Sequence, residues 1–178
     1  MTDRATIDQA LSRLSYGVYI VSSRDGEKLN GQIVNSVFQV TAEPPKIAIS
    51  LHKSNLTHSY VEKSRVFSVS VLDQNTPMTF IGLFGFKCGR NVNKFDGLSH
   101  KVSEGCPMLT ENALSVFACK VTSSLDIGTH TLFIGEVYDA QTLKEGAPMT
   151  YDYYHNVKKG KSQKNATTYT AETKRSLT

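Results

Sequence analysis

The sequence predicts an all-β protein, either a barrel or a sandwich, with short helices at its periphery. About six short runs alternate apolar and polar residues, as half-buried strands do. Turn signals separate these runs, among them Asp25-Gly26 and Pro44-Pro45. The pattern has neither the long crossover helices that a doubly wound α/β fold needs nor a GxGxxG turn.

The chain is predicted to begin with a helix and a β-hairpin. Residues 5–15 carry Ile7, Leu11 and Leu14 at helical spacing. The strand GVYIVSS follows, and the Asp25-Gly26 turn is typical of a tight hairpin. We therefore expect this strand to pair with the one that comes after it.

That next strand, NGQIVNSVFQVT, combines a buried face with an unusual number of polar side chains. Period-2 spacing puts Val34, Phe38 and Val40 on its apolar face. A buried amide or hydroxyl that lacks a hydrogen-bond partner costs about 1–3 kcal/mol. Partners are therefore needed for Gln32, Asn35, Ser36 and Gln39.

The rest of the chain alternates strands with short helices. The strand KIAISLH leads into a helix that begins near Ser54 or Asn55. The strand RVFSVSVL follows, with Ser68 and Ser70 facing outward. Pro77 opens another short helix, and a polar loop, FKCGRNVNKFDG, comes next. The last two strands, LSVFACKVTSS and HTLFIGEVYDA, are expected to pair across LDIGT.

Length and composition exclude several classes of protein. The 178 residues suit a single domain, with a core at about 5–157 and a basic tail at 158–178. No run of about 18 apolar residues predicts a membrane span, and the N-terminus does not resemble a secretory signal. Three cysteines without a CxxC pair argue against a metal site and favour reduced thiols in the cytoplasm.

An anion site is indicated where the strand KIAISLH ends and the next helix begins. The first N–H groups of a helix attract anions, and Lys53 adjoins them. The same pattern also fits ordinary N-capping with an exposed lysine. The loop GRNVNKFDG offers Lys94 and Phe95 as a second arm, or is a solvated surface loop. Further donors could come from His52, Ser54, Asn55 and Thr57.

No arrangement of nucleophile and base is apparent, so a bound cofactor is the best source of the chemistry. His130 stands at the start of a strand and is either structural or part of the site. The tail from Gln141 onward is basic. It is either a solvated terminus or a rim for an anionic cofactor or an acidic partner. No nucleic-acid recognition fold surrounds its lysines.

Five blocks in this order resemble the flavin reductase-like family, the FMN-binding split barrels. They include the stretch from Asn30 to Val61, and after it FSVSVL, KFDG and GTHTLFIGEV. The segments YGVYIVSS, FGFKCGRNVNKF and YYHNVKKGKSQKNATTY are similar to a narrower branch. It contains flavoredoxins and the flavin reductase domain of high-molecular-weight rubredoxins. The rubredoxin module of those proteins has two CxxC pairs, and this sequence has none.

The resemblance implies a set of site residues. The ring of FMN would contact Asn30, Gln32, Asn35, Ser36 and Val37. The ribityl chain and phosphate would contact Ser50, Leu51, His52, Lys53, Asn55, Thr57, Lys94 and Phe95. The nicotinamide nucleotide would contact His130, Tyr154 and His155. Thr129 stands where the family has an acid, which leaves the nucleotide contact open.

The resemblance also implies a function. The chain is expected to be an NAD(P)H-dependent flavin oxidoreductase, a homodimer with its flavin near the subunit interface. The bound flavin performs the hydride transfer, so no catalytic side chain and no metal are expected. Electrons would pass to rubredoxin, to a flavodiiron-type protein or to a small molecule. The alternative is an electron carrier of the flavoredoxin type, which a protein partner reduces and which does not oxidise NAD(P)H.

Overall fold

The computed structural model describes residues 2–169, and the predicted all-β class is confirmed. Within these residues, nine strands and four short helices follow one another. The elements are α1 (Arg4–Leu11), β1 (Tyr19–Asp25), β2 (Lys28–Val34), β3 (Val37–Ala42), β4 (Pro45–His52), α2 (Leu56–Ser64), β5 (Val66–Leu72), α3 (Met78–Phe86), β6 (His100–Ser103), β7 (Cys106–Leu109), β8 (Ala113–Asp126), β9 (His130–Thr142) and α4 (Tyr151–Asn156).

One seven-stranded antiparallel sheet dominates the fold, in the order β2-β1-β5-β8-β9-β4-β3. Both predicted hairpins are present. β1 pairs with β2 across a turn in which Gly26 has a positive φ, and β8 pairs with β9 across the turn that contains Gly128. The glycine-containing turns therefore predicted both strand pairings correctly.

The stretch predicted as one strand, Asn30–Thr41, is two strands on opposite edges of the sheet. β2 is the first strand in the sheet order and β3 is the last, and only Asn35 and Ser36 separate them along the chain. Three Cα–Cα steps span at most roughly 11 Å. The sheet must therefore curl until its two edges nearly meet, which gives a barrel split at this seam.

The break also corrects the predicted apolar face. Val34 is buried, but Phe38 and Val40 on β3 are 56% and 43% exposed. β3 pairs only with β4, so it is an edge strand. Phe38 and Val40, which continue the period-2 spacing from Val34, therefore lie on the exposed edge strand and not in the core.

A hairpin that the sequence analysis missed covers β5. Ser68 and Ser70 were predicted to face solvent, but both are fully buried. Ser68 donates to the carbonyl of Pro107. Ser70 Oγ donates to the carbonyl of Leu109 at 2.7 Å. The second sheet, β6 with β7, lies on this face, and two carbonyls of β7 accept the hydrogen bonds from these hydroxyls.

The first helix is shorter than its predicted range of 5–15, and α4 was not predicted. α1 begins after Asp3, whose carboxylate accepts from Thr6 N at 2.7 Å, and ends at Leu11. No residue of α1 is buried. Within residues 2–169, no helix combines the length and apolar character needed to cross a bilayer.

Lys94 fastens the polar loop to the barrel from the inside. It is only 4% exposed. Its ammonium donates to the carbonyl of Gly31 on β2 at 2.9 Å and to that of Phe84 on α3 at 3.3 Å. Burial lowers the pKa of this amine to about 8. The lysine therefore joins three elements of the core.

Replacing the hydroxyl of Ser70 tests the contribution of the covering hairpin. We expect Ser70→Ala to lower the free energy of unfolding by about 1–2 kcal/mol, because the buried Leu109 carbonyl loses a donor. Urea unfolding followed by far-UV circular dichroism measures the change. Ser99→Ala, on the exposed loop before β6, is the matched control and should change stability by less than about 0.5 kcal/mol. Equal effects of the two variants would contradict the role given to Ser70.

The buried amine predicts a pH dependence of stability. The pKa of Lys94 is about 8 in the fold against 10.5 ordinarily, so between these values the unfolded chain binds more protons. The free energy of unfolding that Lys94 contributes must then rise with pH. We expect the difference between wild type and Lys94→Met to grow by up to about 1.4 kcal/mol per unit from pH 8 to pH 10.

The exposed Lys87→Met at the end of α3 is the control for that experiment. Urea unfolding at each pH supplies the values. A difference between wild type and Lys94→Met that stays constant over this range would show that the Lys94 amine has its ordinary pKa in the fold.

Candidate functional site

The predicted anion site lies where β4 ends and α2 begins. Asn55 is the N-cap residue of α2, but its side chain makes no hydrogen bond to the helix. The first-turn N–H groups of Leu56, Thr57 and His58 therefore have no capping side chain. Such groups attract phosphate through both hydrogen bonding and the helix dipole.

Two histidines flank this helix start. The register of β4 with β9 sets His52 opposite His130, and their rings meet edge-on with centroids 4.9 Å apart. His52 Nδ1 accepts from Ser54 N at 3.1 Å. His130 Nε2 is buried and has no partner among the described residues. Burial, followed by the neighbouring His52, lowers the pKa of His130, which favours the neutral ring.

Lys53 also lies at the start of α2, but its ammonium is already paired with a carboxylate. Its ammonium lies 2.6 and 2.7 Å from the two carboxylate oxygens of Asp126, near the β8–β9 turn. The contact holds the pKa of Asp126 below its usual range. Both side chains are substantially exposed, so the pair can open toward another anion at little cost.

A polar cavity adjoins the helix start and collects several predicted ring contacts. Gln32, Asn35, Ser50 and His52 line one wall. The Oε1 atom of Gln32 is buried and has no partner among the described residues. An unpaired buried acceptor is costly, which marks Gln32 as a group in need of a ligand or ordered water.

Of the residues on the opposite wall, only Tyr154 was among the predicted site residues. This wall is formed by Tyr151 and Tyr154 of α4 and by the segment 161–169, here called the C-terminal strap. The cavity between the walls measures about 30 Å³. That volume holds about two water molecules. In the sequence, the strap belongs to the basic tail, which was interpreted either as a solvated terminus or as a rim for an anionic cofactor or an acidic partner.

Some predicted contacts lie away from this cavity. Leu51 alternates with Ser50 and His52, so it points into the core and is fully buried. Phe95 is also buried and packs edge-on against Phe84, with ring centroids 6.0 Å apart. Lys94 is held by the two carbonyls described above. Lys94 and Phe95 therefore do not line the anion site as the structure stands.

Three further predicted residues support the walls. Asn30 is 3% exposed, and its Nδ2 donates to Thr57 Oγ1 at 2.9 Å, which joins β2 to α2. Ser36 Oγ lies 3.3 Å from Asn35 Oδ1 at the seam. Val37 begins β3 directly after it and packs against the barrel core.

The predicted nucleotide residues are divided. His130 is beside the anion site. Tyr154 lines the polar cavity and donates through its hydroxyl to the carbonyl of Lys161 at 3.0 Å. His155 faces a larger cleft between α1 and α4, and its Nδ1 donates to the carbonyl of Gly160 at 2.8 Å. Burial lowers the pKa of His155.

The three cysteines are all unpaired. Cys106 and Cys119 are buried, and burial raises the pKa of both thiols, that of Cys106 to about 12. Cys88 is exposed on the polar loop. Among residues 2–169, no three side chains of the His, Cys, Asp and Glu types are grouped so that they could hold a metal ion.

Known proteins share both the sequence and this architecture. A family model described as the flavin reductase like domain matches residues 11–160. A ferric-chelate reductase (NAD(P)H) of Archaeoglobus fulgidus is 47% identical over 162 residues, which are 90% of this chain and 96% of that protein. High molecular weight rubredoxin of Moorella thermoacetica is 46% identical over 163 residues, which are 91% of this chain and 71% of that protein.

Solved structures agree in fold. The NADH:FAD oxidoreductase SgcE6 of Streptomyces globisporus C-1027 superposes with a TM-score of 0.72 at 25% identity, covering 83% of this chain and 88% of that one. Flavoredoxin from Methanosarcina acetivorans gives a TM-score of 0.67 at 23% identity, covering 75% of this chain and 74% of that one.

These matches confirm the split-barrel fold and the predicted class of enzyme, an NAD(P)H-dependent flavin oxidoreductase. The barrel strands, the seam and the start of α2 lie within residues 11–160, and the strap that forms one wall of the cavity begins directly after them. The chain belongs to the family of flavin reductase-like domains.

Proposed function

We propose that this reductase binds FMN in the polar cavity and at the start of α2, and uses it to oxidise NAD(P)H. The observation that carries the proposal is the uncapped N-terminus of α2 next to a cavity with an unpaired Gln32. A flavin offers a phosphate for the first and polar ring atoms for the second. When bound, it accepts hydride from the nicotinamide and releases electrons to an acceptor.

At the phosphate end, this chain supplies N–H donors and a movable positive charge. The first turn of α2 presents its amides, and His52 and Ser54 stand beside them. Lys53 adds charge when the phosphate competes with Asp126 for its ammonium. Since one phosphate carries more charge than one carboxylate, the competition favours the phosphate.

At the ring end, the chain supplies amides from the seam. Gln32 and Asn35 line the cavity, Ser36 contacts Asn35, and Asn30 joins β2 to α2 through Thr57. The cavity is far smaller than a flavin ring, so a ring that contacts these amides extends past the rim toward the surface. That placement leaves one ring face accessible to the nicotinamide.

The nucleotide is assigned to the same end of the barrel. His130, neutral by virtue of its lowered pKa, can donate or accept one hydrogen bond without repelling or attracting charge. Tyr154 and His155 are proposed to flank the nicotinamide from α4. Holding the reacting carbon within about 3–3.5 Å of the flavin supplies the rate advantage, because the reaction becomes effectively unimolecular.

We place the working enzyme in the cytoplasm, as a homodimer. Phe38 and Val40 form an exposed apolar edge that begins two residues beyond Ser36, next to the rim where the ring would emerge. A second subunit on β3 would cover this edge and the cofactor together. The acceptor is proposed to be rubredoxin or a flavodiiron-type protein, on the strength of the similarity to a rubredoxin protein.

A second candidate, an electron carrier of the flavoredoxin type, is favoured by the structural similarity to a flavoredoxin. Anaerobic titration of the FMN-loaded protein with NADH and with NADPH distinguishes the two. We expect stoichiometric bleaching of the visible flavin absorption band by at least one nucleotide at about one equivalent per flavin. A yellow protein that neither nucleotide bleaches would support the carrier, and a protein that retains no flavin would exclude both candidates.

Reversing the charge of Lys53 tests the phosphate end. We expect Lys53→Glu to weaken FMN binding more than tenfold, because the helix start would then face two carboxylates, the introduced one and that of Asp126. Equilibrium quenching of flavin fluorescence gives the dissociation constant. Lys120→Glu is the matched control, since Lys120 is an exposed lysine paired with Glu104 and not part of the site. Flavin affinity that drops equally in both variants would remove Lys53 from the phosphate contact.

A further inference from the structure

The C-terminal strap makes hydrogen bonds to the seam. Thr167 Oγ1 donates to Asn35 Oδ1 at 3.0 Å and also contacts Ser36 Oγ. Asn35 Nδ2 donates to Thr168 Oγ1 at 3.1 Å. These threonines come more than 130 residues after the seam, so the contacts are tertiary and not local.

The same segment also reaches the start of α2. Asn165 Nδ2 donates to Ser54 Oγ at 3.1 Å and to Asn55 Oδ1 at 2.9 Å. An asparagine at the N-cap ordinarily accepts from an N–H of the first turn. Here the strap engages that acceptor, which explains why Asn55 leaves the helix uncapped.

Several contacts fasten the strap to α4. Tyr151 donates or accepts through its hydroxyl with Ser162 at 2.7 Å and with Thr168 at 2.8 Å. Gly160, at its entrance, packs so closely on the Tyr154 ring that a Cβ there would lie 2.2 Å from it. The strap is therefore an anchored part of the fold and not a loosely placed terminus.

We propose that the C-terminal strap, residues 161–169, positions both ends of the flavin site. Thr167 and Thr168 fix the amide of Asn35, and Asn165 holds Asn55 away from α2 so that the first turn stays open to phosphate. The inference rests on the proposed function, because it concerns the site assigned to the flavin. The strap residues are positioning residues, since they act through Asn35 and Asn55.

The hydrogen bonds of the Asn35 amide show what positioning means at this site. An amide oxygen can accept two hydrogen bonds; Thr167 donates one, and the Ser36 hydroxyl, 3.3 Å away, contacts both this oxygen and the Thr167 hydroxyl. The amide nitrogen has two hydrogens, and Thr168 engages one. A single N–H remains, in a fixed orientation, for an acceptor on the ligand. A donor held in place before binding loses less entropy when the ligand arrives.

The opposite possibility is that the strap is a plug, which competes with the flavin for Asn35 and Ser36. The two possibilities predict opposite changes in FMN affinity when the strap loses its hydrogen bonds. If the strap positions the site, loss of its hydrogen bonds weakens FMN binding, whereas loss of a plug strengthens it. The anchoring on α4 favours positioning, because a segment that has to leave the site to admit the flavin would first have to break its hydrogen bonds to Tyr151.

The experiment measures FMN dissociation constants for variants of the strap in the full chain. We expect Thr167→Val and Asn165→Ala each to weaken binding by about fivefold to thirtyfold, the effect of losing one or two hydrogen bonds. Thr167→Ser keeps the hydroxyl and should restore wild-type affinity. Thr142→Val makes the same substitution at an exposed site at the end of β9 and serves as the control.

Amide hydrogen exchange in the flavin-free protein separates positioning from a general loss of structure. In Asn165→Ala, the freed Asn55 side chain can accept from a first-turn N–H of α2 and so cap the helix. We expect the amides of Thr57 and His58 to exchange more slowly in Asn165→Ala than in wild type. A general loss of structure would make the same amides exchange faster, and that result would contradict the proposal.

Trypsin sensitivity of the flavin-free protein provides a readout that does not depend on the cofactor. Cleavage after Lys161 and Lys164 should be slow in wild type and faster in Thr167→Val, because the strap is less firmly docked. Unchanged or tighter FMN binding in both single variants would overturn the proposal. A wild-type protein that binds no FMN would overturn the proposed function instead, while slow cleavage would still report a docked strap.

Discussion

The fold depends on a covalent constraint, the two-residue connection between the first and last strands of the sheet. Asn35 and Ser36 are all that separates β2 from β3, so a sheet of seven strands cannot lie open. Curling brings the ends of β2 and β4 to one place, where Gln32, Ser50 and His52 share a cavity. The seam also carries the side chains of Asn35 and Ser36, which contact Thr167 and Thr168 of the strap. Closure of the barrel and creation of the site are thus consequences of one short link.

The sequence predicted those parts of the fold that local chemistry determines. Alternation identified the strands, and glycine-containing turns gave both hairpins correctly. The errors arose where a distant segment decides the outcome. Ser68 and Ser70 look outward-facing by alternation, but a separate hairpin covers them. The break at Asn35 is equally invisible to periodicity, because Val34, Phe38 and Val40 keep the same spacing on both sides of it.

The sequence was equally unable to predict which lysine of the candidate site is available to an anion. The sequence identified Lys53 and Lys94 as cations near a helix start, and as residue types they are equivalent. The structure pairs Lys53 with the exposed Asp126 and buries Lys94 among carbonyls, so only the first has a charge that an incoming anion can share. Neither Asp126 nor Phe84 is close to its partner in sequence. The amides of Gln32 and Asn35, by comparison, were recognised in the sequence as polar groups in a strand that looks buried, and only the resemblance to the family assigned them to a cofactor site.

The position of the strap in the chain has a consequence for how the molecule is assembled. Every strand of the barrel, and α2 as well, precedes residues 161–169. The strands can therefore pair without the strap, but the cavity gains its second wall only when the strap docks. Closure of the barrel and completion of the proposed flavin site are thus separate steps, and a change that undocks the strap would open the cavity while the strands stay paired.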